Sequence, residues 1–292
     1  MRTCLIYNPT AGNGKATAVY NALRPRLQAL EVEVFTTEGP RHATELARQF
    51  AHDSECTVIS LGGDGTHHEI INGLMPEGKA IFAVIPAGTG NDFVRVLGYP
   101  KEPLAMLEVA TTGTPTAIDL GQAGDEYFLT VSGVGFDAEV AGWVNQRSKA
   151  GSGRGVFLRA ILYHLFFYRS RPITVSIDGH PPETVNSFVL AAGNTPYYAS
   201  GMQICPNANL HDGTLSLVWI ESLSRLEVLP MLLHVIQGKH LGSRRVRTFE
   251  AKTVTVAGPS ELWVHADGEI LGHLPITLQA LPQAIRVRMG SV

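Results

Sequence analysis

The chain has 292 residues, of which 45% are apolar and 17% charged, with a formal net charge of −3. Its length suits roughly two domains, and its apolar content supports a large buried core, which excludes disordered, collagen-like and coiled-coil proteins. A nucleic-acid-binding protein would usually carry a basic stripe, so the even spread of charge predicts no nucleic-acid partner. Three scattered cysteines exclude a disulfide framework, and no apolar run is long enough to span a bilayer, so we expect a cytoplasmic protein.

The first 118 residues alternate strand patterns with helix patterns. Short apolar runs predict buried strands, and apolar residues at helical spacing predict helices. Alternation of this kind predicts an α/β domain over residues 1–118, built on a mostly parallel, doubly wound sheet. In chain order, the elements are a strand at 3–7, a helix at 16–30, a strand at 32–36, a helix at 43–50, a strand at 57–61, a helix at 66–74 and a strand at 80–85.

The pattern changes near residue 118, after which short strands are separated by glycine turns. These strands predict a β-rich, mostly antiparallel, sandwich-like domain over residues 119–292, with a return of the last strand to the first domain as the alternative. They lie at 116–120, 127–132, 173–177, 187–192, 214–220, 253–257, 262–265, 276–278 and 285–287, and helices interrupt them at 136–147, 155–169 and 224–237.

Two of these helical segments are rich in apolar residues. Residues 154–171 combine aromatic and aliphatic side chains with several arginines. This composition suits either a helix that covers the core or a helix that lies in a membrane interface, and both interpretations stay open. The segment 226–236 is predicted to belong to the core.

A glycine-rich loop, Gly62-Gly63-Asp64-Gly65-Thr66, lies between a predicted strand and a predicted helix. Adjacent glycines let a phosphate chain approach the backbone, and the helix N-terminus offers N–H groups and a positive dipole end to an anion. Thr66 and Glu69 also have the spacing of a capping box, which is a purely structural use of the threonine. The loop therefore suits phosphate binding, with a well-capped turn as the alternative.

Two further polar loops follow predicted strands, at residues 8–12 and 86–92. Loops at the carboxyl ends of parallel strands converge on one crevice, so the three loops together predict a single site.

The segment 133–138 fits a dinucleotide-binding fingerprint, but it lacks an acid about 20 residues further on and lies outside the parallel half. We therefore expect no NAD binding there.

The ordered set of loops at 8–12, 62–66 and 86–92 resembles the diacylglycerol kinase catalytic domain of bacterial lipid kinases. The resemblance continues through residues 207–215 and 267–269, and so covers nearly the whole chain. It implies a nucleotide-binding domain, a β-rich lipid-substrate domain, and ATP-dependent phosphorylation of a lipid hydroxyl in the cleft between them. Diacylglycerol is the default acceptor, with peripheral contact at the inner membrane face and a homodimer as further expectations.

The resemblance also implies roles for individual residues. Glu269 is expected to accept the proton of the lipid hydroxyl, with Asp267 as the alternative base, and Asp64 to organise the phosphates and metal. A Mg²⁺ ion is expected on the carboxylate of Asp212 and the backbone carbonyls of Asn209 and Thr214. ATP binding is expected at Asn8, Pro9, Thr10, Ala11, Gly12, Thr37, Gly62, Gly63, Asp64, Gly65, Thr66 and Thr89.

Two residues depart from the family pattern. His211 stands beside Asp212, where relatives often carry a second acid. A turn that holds no metal is therefore the alternative to the Mg²⁺ site. His68 stands where related kinases usually carry asparagine, and a neutral imidazole can donate and accept hydrogen bonds as an amide does. The alternatives to a diacylglycerol kinase are a kinase for a sphingoid base or another lipid alcohol, an NAD kinase-like enzyme, and a non-catalytic lipid-binding regulator.

Overall fold

The computed structural model describes residues 2–147, 159–161, 163–164 and 167–290. The chain divides into two compact units, the first formed by Met1–Ile118 with Gln283–Val292 and the second by Asp119–Pro282. The last predicted strand, at 285–287, for which a return to the first domain was the alternative, thus lies in the first unit. Much of the helix predicted at 155–169 falls outside the described residues.

The first unit contains a parallel sheet, as its alternating pattern predicts. Its strands are ordered β4–β3–β1–β2, and the last part of β15 (Ile276–Met289) lies parallel beside β4, with Arg286 opposite Ile81. Every residue of β3 is buried, which is typical of a parallel strand covered on both faces. The four strands are β1 (Arg2–Tyr7), β2 (Glu33–Thr36), β3 (Cys56–Gly62) and β4 (Ile81–Pro86).

Helices cover both faces of this sheet. Two of them, α1 (Lys15–Ala29) and α4 (Pro103–Thr112), pack on the face that includes Leu61. On the other face, α3 (Asp64–Leu74) approaches the sheet, and its His67 Nδ1 lies 2.6 Å from Ser60 Oγ. α2 (His42–Arg48) packs against α3, so the doubly wound prediction is confirmed. α4 was not predicted from the sequence, although a proline in the first turn is a known signal for the start of a helix.

The second unit is rich in antiparallel strands, which confirms the predicted fold class. β13 pairs with β14 and β7, and β9 pairs with β7, β8 and β10. Trp219, Phe128 and Leu217 belong to its main buried cluster. The strands are β5 (Thr114–Ala123), β6 (Glu126–Phe128), β7 (Val131–Gly135), β8 (Arg171–Ile177), β9 (Glu183–Gly193), β10 (Leu215–Glu221), β11 (Val246–Ala251), β12 (Thr253–Ala257), β13 (Trp263–Ala266), β14 (Glu269–His273) and β15.

Several predicted boundaries are wrong for identifiable reasons. The strand predicted at 127–132 is divided into β6 and β7, because Leu129 and Thr130 give their N–H groups to Asp267 instead of to a ladder. The strands predicted at 276–278 and 285–287 form one strand, β15. Pro282, which reads as a strand breaker, lies between the part paired with β12 and the part paired with β4. Strands β11 and β14 were missed.

The second unit has two helices with described ends, α5 (Phe136–Arg147) and α6 (Arg225–Ile236). α6 begins with a capping box between Ser224 and Glu227. Only one of its faces is buried, so the prediction that 226–236 lies in the core is wrong for the other face. Among the described residues, no helix combines the length and the apolar character that crossing a membrane requires. The exposed large apolar side chains of α6 are Leu226, Leu229, Leu233 and Ile236.

Candidate functional site

The loops predicted to bind ATP lie along one edge of the first unit's sheet. β1 to β4 run in the same direction, and Tyr7 pairs with Leu61 and with Thr36, so the loops that follow these strands begin side by side. Thr37, which follows β2, is buried and donates its backbone N–H to Tyr7 O at 2.9 Å. Thr89, in the loop after β4, is exposed.

Asn8 connects the first loop to helix α3. Its Nδ2 donates to Thr66 Oγ1 at 3.0 Å, and its Oδ1 accepts from both the N–H and the hydroxyl of Thr10. α3 begins at Asp64 rather than at Thr66, so the predicted capping box is wrong. Glu69 instead accepts the backbone N–H of Ala43 at 3.2 Å. No side chain caps the N-terminus of α3. An anion site at a helix N-terminus requires this arrangement, because the anion takes the place of the cap.

Asp64 connects α3 to the loop after β4. Its Oδ2 accepts the N–H of Asn91 at 2.8 Å, and its Oδ1 accepts the N–H of Asp92 at 3.0 Å. Both oxygens of the carboxylate are therefore engaged by backbone donors of the neighbouring loop. The sequence could not show this contact, because the two segments are far apart along the chain. A role of Asp64 toward phosphates and metal stays a prediction.

The glycines of these loops are required by contacts between the loops themselves. A Cβ on Gly62 would lie 2.5 Å from the Cβ of Thr66, and one on Gly63 would lie 3.1 Å from the Cα of Gly88. Gly12 has φ +60°, and a Cβ there would collide with the carbonyl oxygen of Ala87. Gly62 and Gly63 were predicted to let a phosphate approach the backbone. They are also required by packing, so a substitution at either position would disturb the loops as well as any phosphate contact.

Polar side chains give the 86–92 loop its shape. Asn91, at φ +53°, accepts the N–H of Gly88 with its Oδ1 and donates its Nδ2 to Gly88 O, each at 3.0 Å. Asp92 is buried and lies 3.2 Å from the guanidinium of Arg95. The amide of Asn91 and the carboxylate of Asp92 thus support the loop, whereas the hydroxyls of Thr10 and Thr89 belong to exposed residues.

In the second unit, Asp267 and Gly268 form the tight turn of the β13–β14 hairpin. Their φ values of +51° and +87° are typical of an Asp-Gly hairpin turn. Asp267 Oδ1 accepts the N–H and the hydroxyl of Thr130 at 2.8 and 2.6 Å, and Oδ2 accepts the N–H of Leu129 at 2.9 Å. Glu269 is the first residue of β14 and is exposed. The two acids of the motif therefore have different environments.

A buried acid–imidazole pair lies directly before this turn. His265 Nε2 is 3.3 Å from Asp137 Oδ2, and both side chains are almost fully buried. A Cβ on Gly133 would meet the Asp137 carboxylate and would lie 2.7 Å from His265 Nε2. The glycine of the fingerprint-like segment 133–138 therefore makes room for this pair, which is a structural reason for a pattern that resembled a dinucleotide site.

The predicted Mg²⁺ residues lie in an exposed loop before β10. Asp212 Oδ1 accepts the N–H of Thr214 at 2.9 Å and its hydroxyl at 2.8 Å, and Asn209 Oδ1 accepts the N–H of His211 at 3.1 Å. Asp119 Oδ2 accepts the N–H of Gly213 at 2.6 Å. The loop is thus held by hydrogen bonds within itself and by the carboxylate of Asp119 in β5.

Hard oxygen donors are present around this loop. Thr214 Oγ1 also lies 3.4 Å from Glu250 Oε2. Burial raises the pKa of Glu250, and the negative charge of Asp212 adds to the rise. Carboxylate and carbonyl oxygens suit Mg²⁺ chemically. However, no group of three or more His, Cys, Asp or Glu side chains in the described part of the chain could hold a metal ion, so the Mg²⁺ site at Asn209, Asp212 and Thr214 stays a prediction.

Comparison with known proteins finds relatives along the whole chain. Residues 2–123 match the model of the diacylglycerol kinase catalytic domain, and residues 130–289 match that of the YegS C-terminal NAD kinase beta sandwich-like domain. A diacylglycerol kinase of Mycobacterium tuberculosis (strain H37Rv) is 34% identical over 96% of this chain and 92% of its own length. A diacylglycerol kinase of Bacillus subtilis (strain 168) is 27% identical over 99% and 96%.

Solved structures show the same fold. A diacylglycerol kinase from Bacillus anthracis (strain Sterne) superposes with a TM-score of 0.75 at 24% identity, over 99% of this chain and 97% of that one. Yeast NADH kinase in complex with NADH superposes with a TM-score of 0.53 at 11% identity, over 100% and 84%, a likeness of fold alone. The sequence matches decide the family, and the chain belongs to the diacylglycerol kinase catalytic-domain family of lipid kinases.

Proposed function

We propose that the protein transfers the γ-phosphoryl group of ATP to the hydroxyl of diacylglycerol, giving phosphatidic acid and ADP. The relatives with the names given above support this acceptor. The structural observation that carries the proposal is the contrast within one turn, where Asp267 gives both oxygens to hydrogen bonds and Glu269 is exposed. A lipid hydroxyl needs a positioned base, and this contrast favours Glu269 for that task.

The first unit supplies the groups suited to the phosphates of ATP. Phosphoryl transfer depends mainly on positioning and on neutralising oxygen charge. The N-terminus of α3, which has no side-chain cap, offers backbone N–H groups and the positive end of the helix dipole. The hydroxyls of Thr10 and Thr89 belong to exposed residues of the neighbouring loops. Mg²⁺ enters this proposal with ATP, where it neutralises phosphate charge.

Glu269 acts in the proposal as the proton acceptor. The hydroxyl oxygen of the lipid attacks the γ-phosphorus, and the bond between that phosphorus and the bridging oxygen to the β-phosphate breaks. The hydroxyl proton passes to the Glu269 carboxylate, and ADP leaves with the bridging oxygen. Asp267 holds the turn through Thr130 and Leu129, and so keeps the base at the start of β14.

A screen with labelled ATP tests the proposal. Wild-type protein and Glu269→Gln are each incubated with diacylglycerol, a sphingoid base, another lipid alcohol and NAD. We expect wild type to label diacylglycerol best and the variant to lose about 10²–10⁴-fold in turnover while still binding ATP. If another acceptor is labelled best, that acceptor takes the place of diacylglycerol in the proposal. Binding of lipid with no transfer to any acceptor supports a non-catalytic regulator instead.

A further inference from the structure

The exposed large apolar side chains of the second unit are confined to two helical stretches. Within its described residues, they belong to the helical residues among 159–161, 163–164 and 167 and to α6. The inner sides of both stretches contribute to one buried cluster, through Ala160 and Ile161 on one and Val228, Met231 and Val235 on the other. The exposed side chains are Tyr163, Phe167, Leu226, Leu229, Leu233 and Ile236. We call these six residues the apolar helical surface.

α6 contributes most of this surface. Spacings of three, four and three residues place its four exposed apolar side chains on one face of the helix. Leu226 is 89% exposed, and Leu229 and Leu233 are 53% and 51% exposed. Large apolar side chains that lie together on an exposed helix face form a patch of the kind that marks an interaction site, so this face of α6 is suited to an apolar environment.

The sequence segments that carry the apolar helical surface also contain several cations. Residues 159–170 and 222–245 contain six Lys or Arg and one acidic residue, in a chain of net charge −3. That acid, Glu227, accepts the N–H of Ser224 at 2.8 Å and pairs with Arg245 at 3.3 Å. Arg225 begins α6, and Lys239 and Arg244 follow the helix in sequence and are exposed. Cations therefore accompany the apolar helical surface.

We propose that the apolar helical surface docks on a lipid bilayer that contains anionic headgroups. Aliphatic side chains enter the acyl boundary while neighbouring cations meet headgroup charge. The choice of a lipid occupant rests on the proposed function, because a diacylglycerol acceptor resides in a membrane. A second copy of the chain fits less well, because a twofold interface would bring the same cations close to each other.

Vesicle sedimentation tests the docking surface without any catalysis. The full chain is mixed with vesicles that lack diacylglycerol, in the absence of ATP, and phosphatidylglycerol–phosphatidylcholine vesicles are compared with pure phosphatidylcholine vesicles. We expect wild type to bind the mixed vesicles more strongly, with a loss of binding at high salt. In Leu226→Gln/Leu233→Gln we expect a loss of about 100-fold in partitioning, about tenfold for each leucine.

Two further variants separate apolar, electrostatic and general effects. Leu104→Gln removes a side chain that is 60% exposed on α4 of the first unit, and should bind vesicles as wild type does. Arg225→Gln/Arg244→Gln should lose about fivefold for each arginine, on the mixed vesicles only. Far-ultraviolet circular dichroism checks that each variant is folded.

The outcomes decide the proposal independently of the kinase assay. Wild type that binds neither kind of vesicle, or a leucine variant that binds as well as wild type, overturns it. A wild-type dimer that the leucine substitutions convert to a monomer assigns the surface to a second copy and also overturns it. The leucine variant should still phosphorylate a short-chain diacylglycerol dissolved in water. If wild type phosphorylates no lipid alcohol, the proposed function fails while the vesicle result stands.

Discussion

Glycine serves different physical needs in the loops at the edge of the first unit's sheet and in the β13–β14 turn of the second unit. In the first unit, a Cβ on Gly12 or Gly62 would collide with a neighbouring loop or helix, so these glycines are required by close packing. In the second unit, a Cβ on Gly268 would meet nothing within 4 Å, and the glycine is required only by its φ of +87°. The same residue type in two sequence motifs therefore reports a crowded junction in one case and a turn conformation in the other.

The acids of the two units repeat one arrangement. Asp64 and Asp267 each use both carboxylate oxygens to accept backbone N–H groups of a segment distant in sequence. Glu269 and Asp212 are exposed. A motif aspartate can thus hold a distant segment in place while another acid of the motif is exposed to solvent. The following predictions separate these uses, in order of decreasing expected effect.

The largest effect is expected at Glu269, and it should be confined to catalysis. Glu269→Gln should lower turnover by about 10²–10⁴-fold because the amide cannot accept the proton. Its unfolding free energy should change by no more than about 0.5 kcal/mol, since the residue is exposed. Asp267→Asn should lower both the turnover and the unfolding free energy, because an amide nitrogen would replace one oxygen that now accepts an N–H. Turnover and urea denaturation of the two variants give the comparison.

A matched control and a clear failure exist for this pair. Glu261→Gln changes another exposed glutamate of the second unit and should keep normal turnover. If Glu269→Gln retains near-normal turnover while Asp267→Asn loses it without loss of stability, the base is Asp267. If neither substitution matters, the proposed mechanism is wrong.

The next effect tests the crowded junction of the first unit. Gly12→Ala combines a strained positive φ with a collision at Ala87 O, so we expect a loss of roughly 2–4 kcal/mol in unfolding free energy. Gly268→Ala and Gly14→Ala have a positive φ but nothing within 4 Å of the added Cβ, and should lose about 1–2 kcal/mol. Equal losses in the three variants, measured by denaturant titration, would remove the contrast between the crowded position of Gly12 and the open positions of Gly14 and Gly268.

Asp64→Asn should have a smaller effect, confined to the contact between α3 and the 86–92 loop. The substitution turns one carboxylate oxygen into a donor that faces the N–H of Asn91 or Asp92, and a hydrogen bond to a charged acceptor is worth about 1.5–3 kcal/mol. Amide hydrogen exchange at these two residues should rise more than exchange in the centre of β3. Unchanged protection there, together with lost ATP binding, would show that Asp64 acts on the ligand rather than on the loop.

These contacts explain which parts of the fold and the candidate site could be predicted from the sequence. Buried apolar runs such as β3 identify the parallel sheet, and strand ends identify the edge at which the loops meet. The partners of Asp64 and Asp267 could not be predicted, because a carboxylate in a sequence does not indicate which distant N–H it accepts. The outer face of α6 could not be predicted either, because apolar residues occupy most positions of the helix and do not show which face is buried.

The smallest effect is expected at Asp212, whose loop is exposed and held by hydrogen bonds within itself and by the carboxylate of Asp119. Asp212→Ala removes the acceptor of the Thr214 N–H and hydroxyl, so we expect a loss of about 0.5–1.5 kcal/mol in unfolding free energy. The pKa of Glu250 should fall toward its ordinary value, because burial and the charge of Asp212 together raise it and one of these causes is removed. A nuclear magnetic resonance titration of the Glu250 carboxyl measures this shift.

The sign of the pH effect follows from the raised pKa of Glu250. A carboxyl with a higher pKa in the folded state contributes stability at low pH, and this contribution is lost as the pH rises through the folded pKa. In Asp212→Ala that loss should be smaller and should occur at lower pH. If Mg²⁺ binds at Asp212, added MgCl₂ should also raise the melting temperature of wild type and leave that of the variant unchanged. Equal responses of the two proteins to MgCl₂ would place the ion elsewhere, and Asp212 would then serve its loop as Asp64 and Asp267 serve theirs.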